Sequence, residues 1–293
     1  MPELVMSTRH APSLINSWMC STLRLTLFFL AIMFMADSSK AAADIDAEQA
    51  VCGTLHEPLA FWLWQRVAGH PDGARVAHIA NLEPIRFTTR DGVTLGGYKL
   101  AAREPKGYVL VAQGNAMLAD QLVADLQFFR ERGFDVYLYD YRGYGLSGGK
   151  SRLAAIVADY AEIVAHLNAQ GYARRLLYGI SIGGVMLLNA VGRGHPFDAA
   201  VIDSSPSRIA GFGCPESYDP VRHLPQDSSR IMIISGARDQ IVSPAQMAEL
   251  IRVGASRGAH VFRHDEFAHP YQDLSPDIHR LRQNAVARFL MQE

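Results

Sequence analysis

From Pro84 onward the chain alternates between short apolar runs and stretches whose apolar residues recur every three or four positions. Residues 85–89 and 94–101, joined at Asp91-Gly92, predict a hairpin. Residues 108–112 read as a buried strand ending at Gln113-Gly114-Asn115, and 118–132 as a helix closed by Gly133. Residues 135–140 alternate aliphatic and aromatic side chains and predict a strand. The clearest helix follows: Leu153, Ile156, Val157, Tyr160, Ile163, Val164 and Leu167 share one face, ending at Gly171. Beyond it the pattern predicts a strand into residue 180, a helix to about Val191 and strands at 199–203, 231–235 and 260–263. Helices are expected from Pro244 to about Ala255 and from Pro276 to the end.

Strands alternating with helices of this length predict an α/β fold with a mostly parallel sheet and helices on both faces. Residues 205–229 are rich in Gly, Pro and Ser without a long period, and read as a small cap over the carboxyl ends of the strands. The working domain is therefore expected over 84–293, preceded by an extension over 44–83. In that extension Leu59, Phe61, Trp62, Leu63, Trp64 and Val67 form an aromatic-rich helix or turn. It is expected to pack on the core, the alternative being a surface that touches lipid or acyl chains.

The N-terminus changes the picture. Residues 25–36 are free of strong polarity apart from Thr26, with Arg24 before them and the small residues Ala41 and Ala43 after. The run is shorter than the roughly 20 residues a bilayer span takes, so the first expectation is an export signal over 1–43, cleaved after Ala43. Met19 is an alternative start, and an uncleaved membrane anchor the alternative fate. Of three cysteines Cys20 lies in that segment; Cys52 and Cys214 remain, as a disulfide or as two buried thiols. The formal net charge of −1 argues for neither nucleic acid nor an anionic surface as partner. Nothing in the sequence fixes an oligomeric state.

The chemistry concentrates at Gly179-Ile-Ser-Ile-Gly183, between an apolar run and a helix. That is the strand–turn–helix context of a nucleophile elbow with Ser181 at its apex. A serine there needs a base, and the base needs an acid. Asp239 follows the 231–235 strand and His269 follows the 260–263 strand, both at carboxyl ends, where open parallel sheets bind ligands. Asp203 is the rival acid and His264 the rival base; chain order and a loop position favour Asp239 and His269. Oxyanion donors are expected from the backbone N–H of Ile182, at a helix start, and from the loop at Asn115.

The Gly-Asn-Ala at 114–116, Asp140-Tyr-Arg-Gly-Tyr-Gly-Leu-Ser-Gly-Gly149, the elbow, the Gly-x-x-Asp at 236–239 and Ala-His-Pro at 268–270 resemble the α/β-hydrolase superfamily. The nearest likeness is its abhydrolase group with a serine-aminopeptidase-type domain, which includes depalmitoylases and lysophospholipase-like esterases. The resemblance covers residues from Pro84 onward. It implies Ser181 as nucleophile, Asp239 and His269 as its relay, and the amides of Asn115 and Ile182 as oxyanion hole. It also implies that no metal or organic cofactor is needed. One departure is Gln113, where that group usually has histidine, which puts the loop's hydrogen-bond support in question. Arg142 is read as scaffold. The expected activity is hydrolysis of an ester or thioester of a small or acyl-containing substrate. A peptidase is the alternative, with Glu216 or Asp219 reading an amine. A non-catalytic binding module is disfavoured because every triad member is present.

Overall fold

The structure is a computed structural model that describes residues 49–292; the expected export segment, Met19 and Cys20 lie outside the described residues. Among the described residues eight strands form one sheet: β1 (Leu82–Thr88), β2 (Thr94–Leu100), β3 (Gly107–Ala112), β4 (Phe134–Tyr139), β5 (Arg175–Ile180), β6 (Ala199–Asp203), β7 (Ile231–Gly236) and β8 (His260–His264). Their order is β1-β2-β4-β3-β5-β6-β7-β8. The expected hairpin forms one edge, with β2 antiparallel to both β1 and β4, and every later pairing is parallel. Strands β3 to β7 are buried along their length, apart from Arg175 at the start of β5, as a sheet covered on both faces demands.

Helices α1 (His56–Ala68), α2 (Leu153–Asn168), α3 (Ile182–Gly192), α4 (Pro244–Ser256) and α5 (Pro276–Met291) surround it. The stripe read from the sequence between Leu153 and Leu167 is the buried face of α2. The stretch expected as one helix over 118–132 is instead three pieces, Ala119–Leu122, a tight 3-10 turn at Val123–Leu126, and Gln127–Glu131. The first piece is held from outside: Ala119 N–H donates to Asp140, and Asp120 accepts from Asp72 N–H and Arg75. The last must still bury Phe129, so the chain tightens between them.

Residues 205–229 form short 3-10 turns rather than a domain. Buried Asp219 ties them together, accepting from the N–H groups of Ile209 and Ala210 and pairing with Arg208. The Asp140–Gly149 segment is scaffold. Arg142 is buried between Asp159 and Asp91, and Asp140 accepts the N–H groups of Ala119 and Leu146.

Candidate active site

The sharp turn between β5 and α3 places Ser181 at φ 54° and ψ −118°, a left-handed backbone that costs a non-glycine residue about 1–3 kcal/mol. The surrounding fold fixes that strain. Ser181 N–H donates to the Asp203 carbonyl, and its own carbonyl accepts Gly184 N–H. Glycine at 183 is required because any Cβ there would collide with the Ala112 carbonyl at the end of β3. The Ser181 turn and the Gln113–Asn115 loop thus pack backbone to backbone.

His269 follows β8 in a loop, and Asp239 follows β7. Their side chains meet, with His269 Nδ1 2.9 Å from Asp239 Oδ2 and 3.2 Å from Oδ1. Asp239 Oδ1 also accepts the N–H groups of Ile241 and Val242, which fixes the carboxylate's plane. Burial pushes this carboxyl up, but the hydrogen bond and charge of His269 and the two amides outweigh it, holding it below its ordinary value. The rival acid Asp203 is engaged elsewhere: fully buried, it receives Arg282 Nη1 at 2.7 Å. The rival base His264 stays in β8 and accepts Glu266 N–H.

Ser181, His269, Asn115 and Ile182 all line one cavity of about 540 Å³. Ile182 is the first residue of α3, whose leading N–H groups have no partner within the helix. On the opposite loop Asn115 Oδ1 accepts from Tyr144 Oη at 2.8 Å and from Ala116 N–H. Gln113 is fully buried; its Nε2 reaches Asp140 at 3.5 Å and its backbone carbonyl accepts the Tyr141 hydroxyl. The loop therefore keeps its support without a histidine. A second, more open groove lies between β8 and α5, lined by His260 and Arg288, and contains none of these residues.

Two features of the site escaped sequence reasoning. The first is the roof. Helix α1, expected to pack on the core or else to offer a surface to lipid or acyl chains, turns His56, Glu57, Ala60, Phe61 and Trp64 into the cavity and leaves Leu59, Trp62, Leu63 and Val67 exposed. Three ties hold it: Glu57 accepts Leu153 N–H at the start of α2, Gln65 donates to Ser151, and Cys52 is joined to Cys214 by a disulfide. Glu57 also accepts Cys52 N–H. The disulfide links the roof to the cap turns, which contribute Ile209 and Phe212 to the cavity. Reducing it is expected to remove about 2–4 kcal/mol of stability. Thermal melts with and without a phosphine reductant measure this, against a Cys214→Ser control that should no longer respond.

The second feature is Arg282 on α5. It is 1% exposed and donates to Asp203, to both oxygens of Asp273 and to the Ala268 carbonyl. Asp273 in turn accepts Ala268 N–H, so both backbone groups of the residue before His269 are clamped. Burial opposes the guanidinium's charge, but Asp203 and Asp273 more than offset it and hold it protonated.

The sequence model of the serine aminopeptidase S33 family (Hydrolase_4) matches residues 103–210, which include the elbow and the Asn115 loop. The esterase Pf2001 of Pyrococcus furiosus superposes with a TM-score of 0.57 at 18% identity, over 72% of this chain and 92% of that one. An alpha-beta hydrolase of Vibrio vulnificus gives 0.64 at 14% identity, over 80% and 94%. The chain has the α/β-hydrolase fold. Among curated proteins the chain is 28% identical to YfhR of Escherichia coli K12 over 188 residues, 57% of the chain and 66% of YfhR, just under two thirds of that relative. Helix α1, Cys52 just before it and the disulfide partner Cys214 all fall outside the stretch matched by the family model.

Proposed function

We propose that this α/β-hydrolase cleaves carboxylic ester or thioester bonds through an acyl-enzyme. The observation that carries the reading is the His269–Asp239 pair together with a strained Ser181, His269 and Ser181 lining the same, mainly apolar cavity. Asp239 holds the Nδ1–H tautomer of His269, leaving Nε2 to take the proton from Ser181 as its oxygen attacks the substrate carbonyl. The negative oxygen of the tetrahedral intermediate is received by the N–H groups of Ile182 and Asn115. His269 then protonates the departing alcohol or thiol, and water repeats the cycle on the acyl-serine. None of these steps calls on a metal or an organic cofactor.

The peptidase alternative needs a carboxylate to read a free amine. Asp219 spends its oxygens on Ile209, Ala210 and Arg208. Glu216 is exposed and pairs with Arg222. Glu57, which does line the cavity, accepts two backbone N–H groups. An ester or thioester with an apolar acyl group fits these surroundings better. The Cys52–Cys214 disulfide supports an oxidising compartment, in keeping with the export signal expected at the N-terminus.

Labelling of the purified protein by a fluorophosphonate probe tests the reading. Labelling is expected, and Ser181→Ala should abolish it. Unlabelled wild-type protein, or an alanine variant that still labels, sinks the assignment. In a substrate series of acyl esters, thioesters and aminoacyl amides, the fastest turnover by aminoacyl amides would replace the ester reading with the peptidase one.

A further inference from the structure

From Ser181 the cavity extends beneath α1, between Ala60, Phe61 and Trp64 on the helix and Leu153, Val185 and Ile209 across from them. The one carboxylate among these walls, Glu57, has both oxygens filled by backbone N–H groups, so this end offers a ligand contact area but little hydrogen bonding. A chain of methylenes suits such a wall, each buried one strengthening binding about fourfold. Resting on the hydrolase reading above, we infer that the space beneath α1 is the binding site for the substrate's aliphatic acyl chain. We infer further that the disulfide-held helix sets how long that chain can be. The determinant of acyl length then resides in an N-terminal element outside residues 103–210, which carry the family likeness.

The position of Trp64 supplies the test. Bromine quenches indole fluorescence only at contact, so ω-bromoundecanoic acid titrated into Ser181→Ala protein reports occupancy without turnover. Saturable quenching is expected, and Trp64→Phe should remove most of it while the exposed Trp62 remains. Ala60→Trp, which fills the space from the helix side, should weaken binding by about tenfold or more. Reduction of the disulfide should weaken it in the same direction. In the parental Ser181 protein, Ala60→Trp should move the ester chain-length optimum toward shorter acyl groups.

The inference is overturned if quenching does not saturate, if it survives Trp64→Phe, or if Ala60→Trp and the reduced protein both bind as tightly as their parent. Fluorophosphonate labelling is read separately. Labelled wild type with no saturable quenching discards the acyl site and keeps the hydrolase. Saturable Trp64 quenching in a protein that does not label does the reverse.

Discussion

Replacing Ser181 with alanine is expected to lower kcat for ester hydrolysis by about six orders of magnitude with little change in KM, because in the proposed mechanism the serine acts as one unit with its base. The alanine variant retains the cavity and the donors at Ile182 and Asn115, so substrate still binds and a small residual rate above water persists. Asp239→Asn should cost about four orders of magnitude, since an amide in that place favours the wrong His269 tautomer. Asp203→Asn provides the contrast. Asp203 faces Arg282, so its loss should appear chiefly in stability. Steady-state hydrolysis of a nitrophenyl ester by the three variants separates these outcomes. Substantial turnover by Ser181→Ala, or a larger kcat loss in Asp203→Asn than in Asp239→Asn, would contradict the assigned relay.

The second large effect concerns Arg282. Arg282→Met keeps much of the side chain's bulk but leaves Asp203 and Asp273 buried without their cation, a change that typically costs about 3–5 kcal/mol. For a domain of this size that lowers Tm by roughly 10 °C. An effect on catalysis should accompany it well below Tm. Arg282 and Asp273 grip both backbone groups of Ala268, so without them the loop that presents His269 is free to shift. A displacement of about 1 Å at a catalytic group can cost around a hundredfold. The expected signature is a fall in kcat with KM nearly constant, while Arg282→Lys recovers part of the stability but little of kcat. If kcat of folded Arg282→Met equals that of wild type, the arginine is only a structural support.

Much of this site was legible in the sequence because the constraints on it are local. The glycines at 179 and 183 mark a turn that other residues could not make, and Asp239 and His269 directly follow strands whose apolar runs are unmistakable. The sheet was legible for the same reason: β3 to β7 are short, almost wholly buried apolar runs with helical segments between most of them. The roof was not. Helix α1 is apolar on both its exposed and its inward faces, so no period tells which side is turned in or what it covers. The pairing of Cys52 with Cys214 depends on proximity across the fold, which spacing cannot supply.

The kink in the helical stretch after residue 118 was hidden as well, because it is imposed by Asp140 and the Asp72 amide rather than by a glycine or proline. Arg282 did leave a signal. It shares the stripe of Val286 and Leu290 at four-residue spacing, a cation on an otherwise apolar face, and such a residue is buried only with partners waiting for it.

The disulfide also reaches into the denatured chain. Residues 52 and 214 are 162 apart in sequence, and the strands from β1 to β6 all lie between them. When the oxidised protein unravels in denaturant these strands separate, yet the segment that forms the roof and the segment that forms the cap stay at bonding distance. On return to water the sheet must search for its order while those two walls are already neighbours. A protease nick in an exposed loop between them leaves the fragments travelling as one molecule until the sulfurs are reduced.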